Sequence, residues 1–306
     1  MNAEPALFKP PVDKAGTEPV SLTGKLRAFQ RRWRTPVLAI AAIFFLGGAI
    51  WSIASLDLAP GDIAIGPLVI LIVAIIPATL AYSAVNLMLM ARAAGTAMTF
   101  ADSLRTNVFA SLAELLPIPG GAIVRSHALV RSGSKLSHSV ELVVGFGLLW
   151  IACAAVGAAL SLQTASPAAL PVAVISAMAT LFITGWIAAR FGFAIAMAAL
   201  ALRILGLGLM AVRVGLAFAT IGLAIAWSDT LAFTFAIIAG TASAIVPSGL
   251  GVSEGLAAIV AAPANVAPAG AFLAVALSRL LGLAVNAIAA GLFSLHAMRQ
   301  AKTAGL

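Results

Sequence analysis

The chain has 306 residues, 62% of them apolar and only 9% charged, with a formal net charge of +8. No soluble domain of this length can bury so much apolar surface, so the composition excludes a water-soluble globular fold and implies an all-α polytopic membrane protein. The positive charge falls in alternate loops between apolar runs, which excludes nucleic acid as its reason, and the one cysteine, Cys153, excludes a disulfide framework or a cysteine metal site.

Residues 1–34 read as a disordered basic tail. MNAEPALFKPPVDKAGTEPVSLTG is polar and proline-bearing, and KLRAFQRRWR then precedes the first apolar run. A cleaved signal peptide has a shorter leader and a shorter apolar core, so the first helix is expected to stay in the protein. Spans are predicted near 37–56, 66–91, 138–162, 168–190, 205–227 and 268–297, from runs of about 20 apolar residues and the breakers between them. Lys25, Arg27, Arg92, Arg105, Arg125, Arg131, Arg190, Arg203 and Arg299 fall in alternate loops, which the positive-inside rule puts in the cytoplasm together with the N-terminus.

Two further apolar stretches, 100–131 and 230–262, are broken midway by ELLPIPGGAIVR and SAIVPSGLGVSEG. Proline removes a helix hydrogen bond and glycine permits a turn, so each stretch is expected to be a re-entrant pair of short helices. Backbone opened in this way at membrane depth must be buried in protein or face water. The order span, span, broken hairpin, span then occurs twice, once starting inside and once outside. That pattern predicts six transmembrane helices and two re-entrant hairpins in an inverted repeat, with halves at 35–165 and 166–298 and a short tail at 299–306. Inverted repeats with interrupted helices point to secondary transporters whose substrate site lies near the midplane.

The residues with chemistry are few. GVSEG, Gly251 to Gly255, fits the G-x-S-x-G pattern of a hydrolase elbow, but no strand precedes Ser253 and the histidines are limited to His127, His138 and His296. His138 and Glu141 share a helix face and lack the further ligands a metal needs. No catalytic residue, metal or cofactor is therefore assigned. Charge at membrane depth is the stronger signal, because such groups pair, face water or bind a ligand. Glu114, Arg125, Glu254 and Arg279 all qualify. Arg279 and Asn286, seven apart, share a helix face with Gly282, and Asn107, Ser111 and Glu114 share another. Glu254 either meets the substrate in a shared polar cavity or pairs with Arg279 or Arg125 to hold the two halves together.

The stretch PSGLGVSEG has the form P-x-G-x-G-V-x-E-G and resembles the signature of the lysylphosphatidylglycerol synthase membrane-region family, the flippase-like integral membrane proteins. LPIPGGAIVRSHALVRSG resembles that family's other motif, and Arg279 fits its arginine in the last span. The resemblance runs from about Thr35 to Met298. By position it carries over Pro247, Gly249, Gly251, Glu254 and Gly255 from one motif, and Pro119, Gly121 and Arg125 from the other. Ser248 and Ser253 stand where the family has glycine and arginine. Synthases of the family continue into a soluble aminoacyl-transfer domain, whereas seven residues follow Arg299 here, so a stand-alone member is expected.

The resemblance implies a lipid transporter or flippase of a bacterial or archaeal cytoplasmic membrane. Its cargo would be an anionic or amphipathic lipid. The inverted repeat and the polar groups at membrane depth add alternating access to that expectation, with Arg125, Glu254, Arg279, Glu114 and Asn286 facing the substrate. The alternative is a non-transporting accessory subunit of a lipid-modifying or lipid-biosynthetic enzyme. The expected partners are a membrane phospholipid or other lipid, with a second copy of the chain or a biosynthetic enzyme as protein partners.

Overall fold

The computed structural model describes residues 22–115, 119–243 and 249–303. The chain divides into two units, Met1–Val37 and Leu38–Leu306. Of the first, residues from Leu22 onward form the start of a helix, and all that follows concerns the second.

Ten helices make up the described residues, and no strand occurs among them. α1 is Leu22–Ser55, α2 Ile65–Ala93, α3 Phe100–Ala113, α4 Gly120–Arg131 and α5 Leu136–Ser161. They are followed by α6 Ala169–Phe191, α7 Phe193–Thr220, α8 Thr230–Ala242, α9 Val252–Ala261 and α10 Pro268–Thr303. Five of these, α2, α5, α6, α7 and α10, are long and apolar enough to cross a membrane. Their outer faces are apolar too: Ile175, Leu181, Phe182 and Phe193 are each about two-thirds or more exposed, at 67%, 71%, 77% and 73%. In water such a surface would be unstable, and the chain is an integral, multi-pass membrane protein. Ala39–Ser55 in α1 forms a shorter apolar stretch.

Local chemistry sets the helix ends. In α2 a π-helical turn, Leu71–Ile75, lies just before Pro77, which has no N–H to offer the carbonyl of Val73. α3 begins where the Thr99 hydroxyl oxygen accepts the Asp102 amide at 3.1 Å. Gly192, at φ +99°, is the one residue between α6 and α7.

That single-residue break corrects the expected fifth span. α7 starts at Phe193 rather than near 205, so Arg203, expected in a cytoplasmic loop, stands in the middle of a long apolar helix. The basic cluster expected in a disordered tail is helical from Leu22, and Arg299 and Lys302 extend α10 rather than forming a separate tail. Residues 1–21 and 304–306 lie outside the described residues, as does Pro247.

Two apolar cores hold the bundle. One joins Leu71 and Ile76 of α2 to Phe218 of α7, Phe233 and Ile237 of α8, Ala257 of α9 and Val275 of α10. The other joins Leu87 and Met90 of α2 to Leu129 of α4, Phe146 of α5 and Ile187 of α6. The short pairs α3–α4 and α8–α9 each pack partner on partner. Each also docks on a long helix distant in sequence: α3 lies against α10, and α8 against α5. α2 and α7 pack against each other.

Candidate substrate cavity

α3 and α4 turn back on each other across a glycine pair. A Cβ on Gly120 would strike the Ala113 carbonyl, and one on Gly121 would strike the Glu114 side chain. That close approach sets Glu114 at the end of α3 beside Arg125 on α4, with Arg125 Nη2 3.1 Å from Glu114 Oε1. The Arg125 guanidinium also donates through Nε to Asn107 Oδ1 at 3.0 Å. Asn107 in turn donates to the Ser83 carbonyl of α2 at 2.9 Å and the Ser103 carbonyl at 3.0 Å. With all three bonds made, a buried amide is satisfied and locks α2, α3 and α4 into one geometry.

Glu114, Pro119, Gly121 and Arg125 line a cavity of about 490 Å³. Asn286 of α10 lines it as well, and its amide donates to the Gly282 carbonyl at 2.8 Å while its Oδ1 has no partner. The remaining wall comes from α2, α5, α7 and α8, including Tyr82, Asn86, Phe146, Trp150, Arg203, Arg213 and Thr241.

α7 contributes a face of its own. Arg203, Gly206, Met210 and Arg213 follow at spacings of three, four and three, which keeps them on one side of the helix, and all four line the cavity. The Arg203 guanidinium lies 5.6 Å from the Phe146 ring centre and 5.4 Å from that of Trp150, and donates to the Tyr82 hydroxyl at 3.1 Å. Its Nε is buried with no partner. Gly206 leaves the space that the Tyr82 ring fills. Arg213 donates through Nε to Ser278 Oγ at 3.0 Å and through Nη2 to the Ser278 carbonyl at 2.6 Å, and Gly282 makes room for its guanidinium.

The second hairpin is built differently. Gly251, at φ +83°, caps α9, and its N–H donates to Glu254 Oε2 at 2.7 Å. Glu254 Oε1 accepts from Arg279 Nη1 at 2.7 Å, and the same Nη1 donates to the Gly249 carbonyl at 2.9 Å. Gly249, at φ +67°, sits against the Gly240 carbonyl of α8, where a side chain has no space. Ser253 is buried where α9 crosses Gly240 and donates to the Ile237 carbonyl at 3.3 Å. The serine inside the elbow-like motif is thus a small residue at a close helix crossing. Gly255 packs beside the Phe44 ring.

The expected site therefore falls into two places. Glu114, Pro119, Gly121, Arg125 and Asn286 share the cavity wall, while Glu254, Arg279, Gly249, Gly251 and Gly255 do not line it. Of the two partners expected for Glu254, it takes Arg279. Arg213 and Tyr82 are not among the residues expected from the sequence, and Arg203 stands in a helix rather than in the expected loop. Arg213 lies within an apolar run as conspicuously as Arg279 does, and that signal alone would have found it. At the bundle surface Glu141 takes Arg190 at 3.3 Å, with His138 at 4.0 Å, an arrangement of two neighbouring helix ends.

Compared with known proteins, the chain matches no family model, no curated protein and no solved structure.

Proposed function

We propose that this protein moves an anionic or amphipathic lipid between membrane leaflets, as a relative of the lysylphosphatidylglycerol synthase membrane region. The observation that carries the reading is the cavity of about 490 Å³ that brings Arg125, Arg203, Arg213 and Glu114 together inside the helix bundle. Charge at membrane depth is costly, about 2.5–3.5 kcal/mol per group on insertion scales, and is kept where a cavity or ligand needs it. Phenyl, indole and phenol rings in the same wall suit the apolar part of a lipid near its headgroup.

The architecture supports transport by alternating access of inverted halves. α1, α2, α3–α4 and α5 are followed by α6, α7, α8–α9 and α10 in the same order of long helices and short pairs. Each short pair docks on the last helix of the other half, and α2 meets its counterpart α7, which is the exchange a two-fold relation between halves demands. In this reading the short pairs are re-entrant, the N-terminus is cytoplasmic, and the membrane is the cytoplasmic membrane of a bacterium or archaeon. Arg125 receives the lipid phosphate in bidentate fashion and Glu114 takes the arginine back when the lipid leaves. The Glu254–Arg279 pair fastens the second hairpin to α10 as one rigid piece.

The test is leaflet exchange of a fluorescent anionic lipid in proteoliposomes, followed by access of a membrane-impermeant quencher. The intact protein should accelerate exchange, and Glu114→Gln and Arg125→Gln should slow it about tenfold or more while inserting normally. Equal exchange by the intact protein, both variants and protein-free vesicles would refute the reading.

A further inference from the structure

The interior charges of the bundle do not cancel. Glu114 answers Arg125 at 3.1 Å and Glu254 answers Arg279 at 2.7 Å. Arg203 and Arg213 have no carboxylate partner among the described residues; their contacts are a tyrosine hydroxyl, two aromatic faces, a serine hydroxyl and a backbone carbonyl. These neutral groups hold the guanidiniums in place and leave their charge uncancelled. Within the cavity wall, three arginines against one glutamate leave a surplus of two positive charges. Arg203 is itself buried, where a charge is screened less than at the surface, so the surplus acts on a ligand as a sum as well as through contact.

Resting on the reading of the cavity as a lipid passage, we propose that Arg203 and Arg213 form an anion-binding face on α7, selecting a lipid whose headgroup ends in a dianionic phosphate. A phosphate monoester, with two charges, cancels the surplus, whereas a phosphodiester, with a single charge, cancels half of it. A monoester carries roughly −1.5 to −2 near neutral pH, its second proton leaving near pH 6. Arg203 has five N–H donors, of which one is spent on Tyr82 and the buried Nε is unspent. Its guanidinium plane is held by the Trp150 and Phe146 rings, so a phosphate meets a pre-oriented fork. Arg213 stands ten residues, about 15 Å, further along the same helix face. The two arginines are thus successive stations along the length of the cavity rather than one clamp.

The proposal is tested with the full chain in detergent micelles by titration calorimetry near pH 8, with dioctanoyl phosphatidic acid, dioctanoyl phosphatidylglycerol and inorganic phosphate as ligands. Phosphatidic acid should bind about tenfold more tightly than phosphatidylglycerol, and Arg203→Gln and Arg213→Gln should each reduce that ratio to about threefold or less. Inorganic phosphate should compete weakly; competition as strong as that of the lipid would overturn the lipid headgroup as the source of the anion. Equal binding of the two lipids, or an unchanged preference in both variants, overturns the selection of a dianion. Thermal unfolding of the unliganded protein guards against simple misfolding. Arg203→Gln removes an uncancelled buried charge and should raise the melting temperature, and a fall would assign Arg203 to structure instead. Selective binding without leaflet exchange leaves this inference standing and refutes transport. Exchange with no preference for a dianion does the reverse.

Discussion

Each broken helix pair carries a glutamate that meets an arginine, on its own α4 in the first and on the neighbouring α10 in the second, and the two ion pairs differ in exposure. Arg125 and Glu114 keep 26% and 29% of their side-chain surface open, whereas Arg279 and Glu254 keep 8% and 0%. A half-buried pair at a cavity wall can be exchanged for a ligand at little cost, because water covers each partner when they separate. A fully buried pair cannot be opened without leaving an uncompensated charge. The same two residue types therefore make an accessible ion pair in the first hairpin and a buried fastening of the second hairpin to α10.

The comparison can be broken at several points. The largest effect is expected at Glu254: Glu254→Ala should destabilise the protein by about 3–5 kcal/mol in chemical or thermal unfolding, since buried Arg279 loses its carboxylate and the Gly251 amide its acceptor. The double variant Glu254→Leu with Arg279→Met should recover most of that loss; if it is as unstable as the single variant, the pair is not the cause. Next comes Gly249→Ala, with a left-handed backbone and a Cβ directed at the Gly240 carbonyl, expected to cost about 1–3 kcal/mol. Gly121→Ala sharpens the contrast, because its Cβ meets the movable Glu114 side chain rather than backbone. It should cost less stability than Gly249→Ala and yet slow lipid exchange.

Glu114→Gln is expected to change stability by about 1 kcal/mol or less, with its effect confined to exchange. A stability loss as large as that of Glu254→Ala would erase the distinction between the two pairs. Smallest of all, Arg190→Gln, which breaks the exposed contact with Glu141, should move stability by a few tenths of a kcal/mol and leave exchange unchanged.

Much of the helix layout was legible in the residues because its causes are local. ELLPIPGGAIVR and SAIVPSGLGVSEG interrupt their apolar runs with proline and glycine, and α3–α4 and α8–α9 break at those points. The start of α7 was misplaced for an equally local reason. Arg203 was drawn to a loop by the positive-inside pattern, although FAIAMAALAL ahead of it is apolar throughout and Gly192 alone suffices for the turn. Arg279 and Asn286 illustrate the limit of periodicity: they share a helix face, yet Asn286 lines the cavity and Arg279 is buried against the second hairpin. Periodicity fixes direction around a helix and says nothing of depth along it.

Apolar run length and helix breakers act within a few turns of backbone, so the residues alone dictate an all-helical membrane protein with two broken helix pairs. Which charge meets which depends on how the helices pack. Glu254 chooses Arg279 and Glu114 chooses Arg125 because the crossing of glycine-packed helices brings those groups within about 3 Å, and Arg203 and Arg213 meet no carboxylate among the described residues for the same reason. Coulombic partnership depends on distance in space and on burial, and neither is written in spacing along the chain.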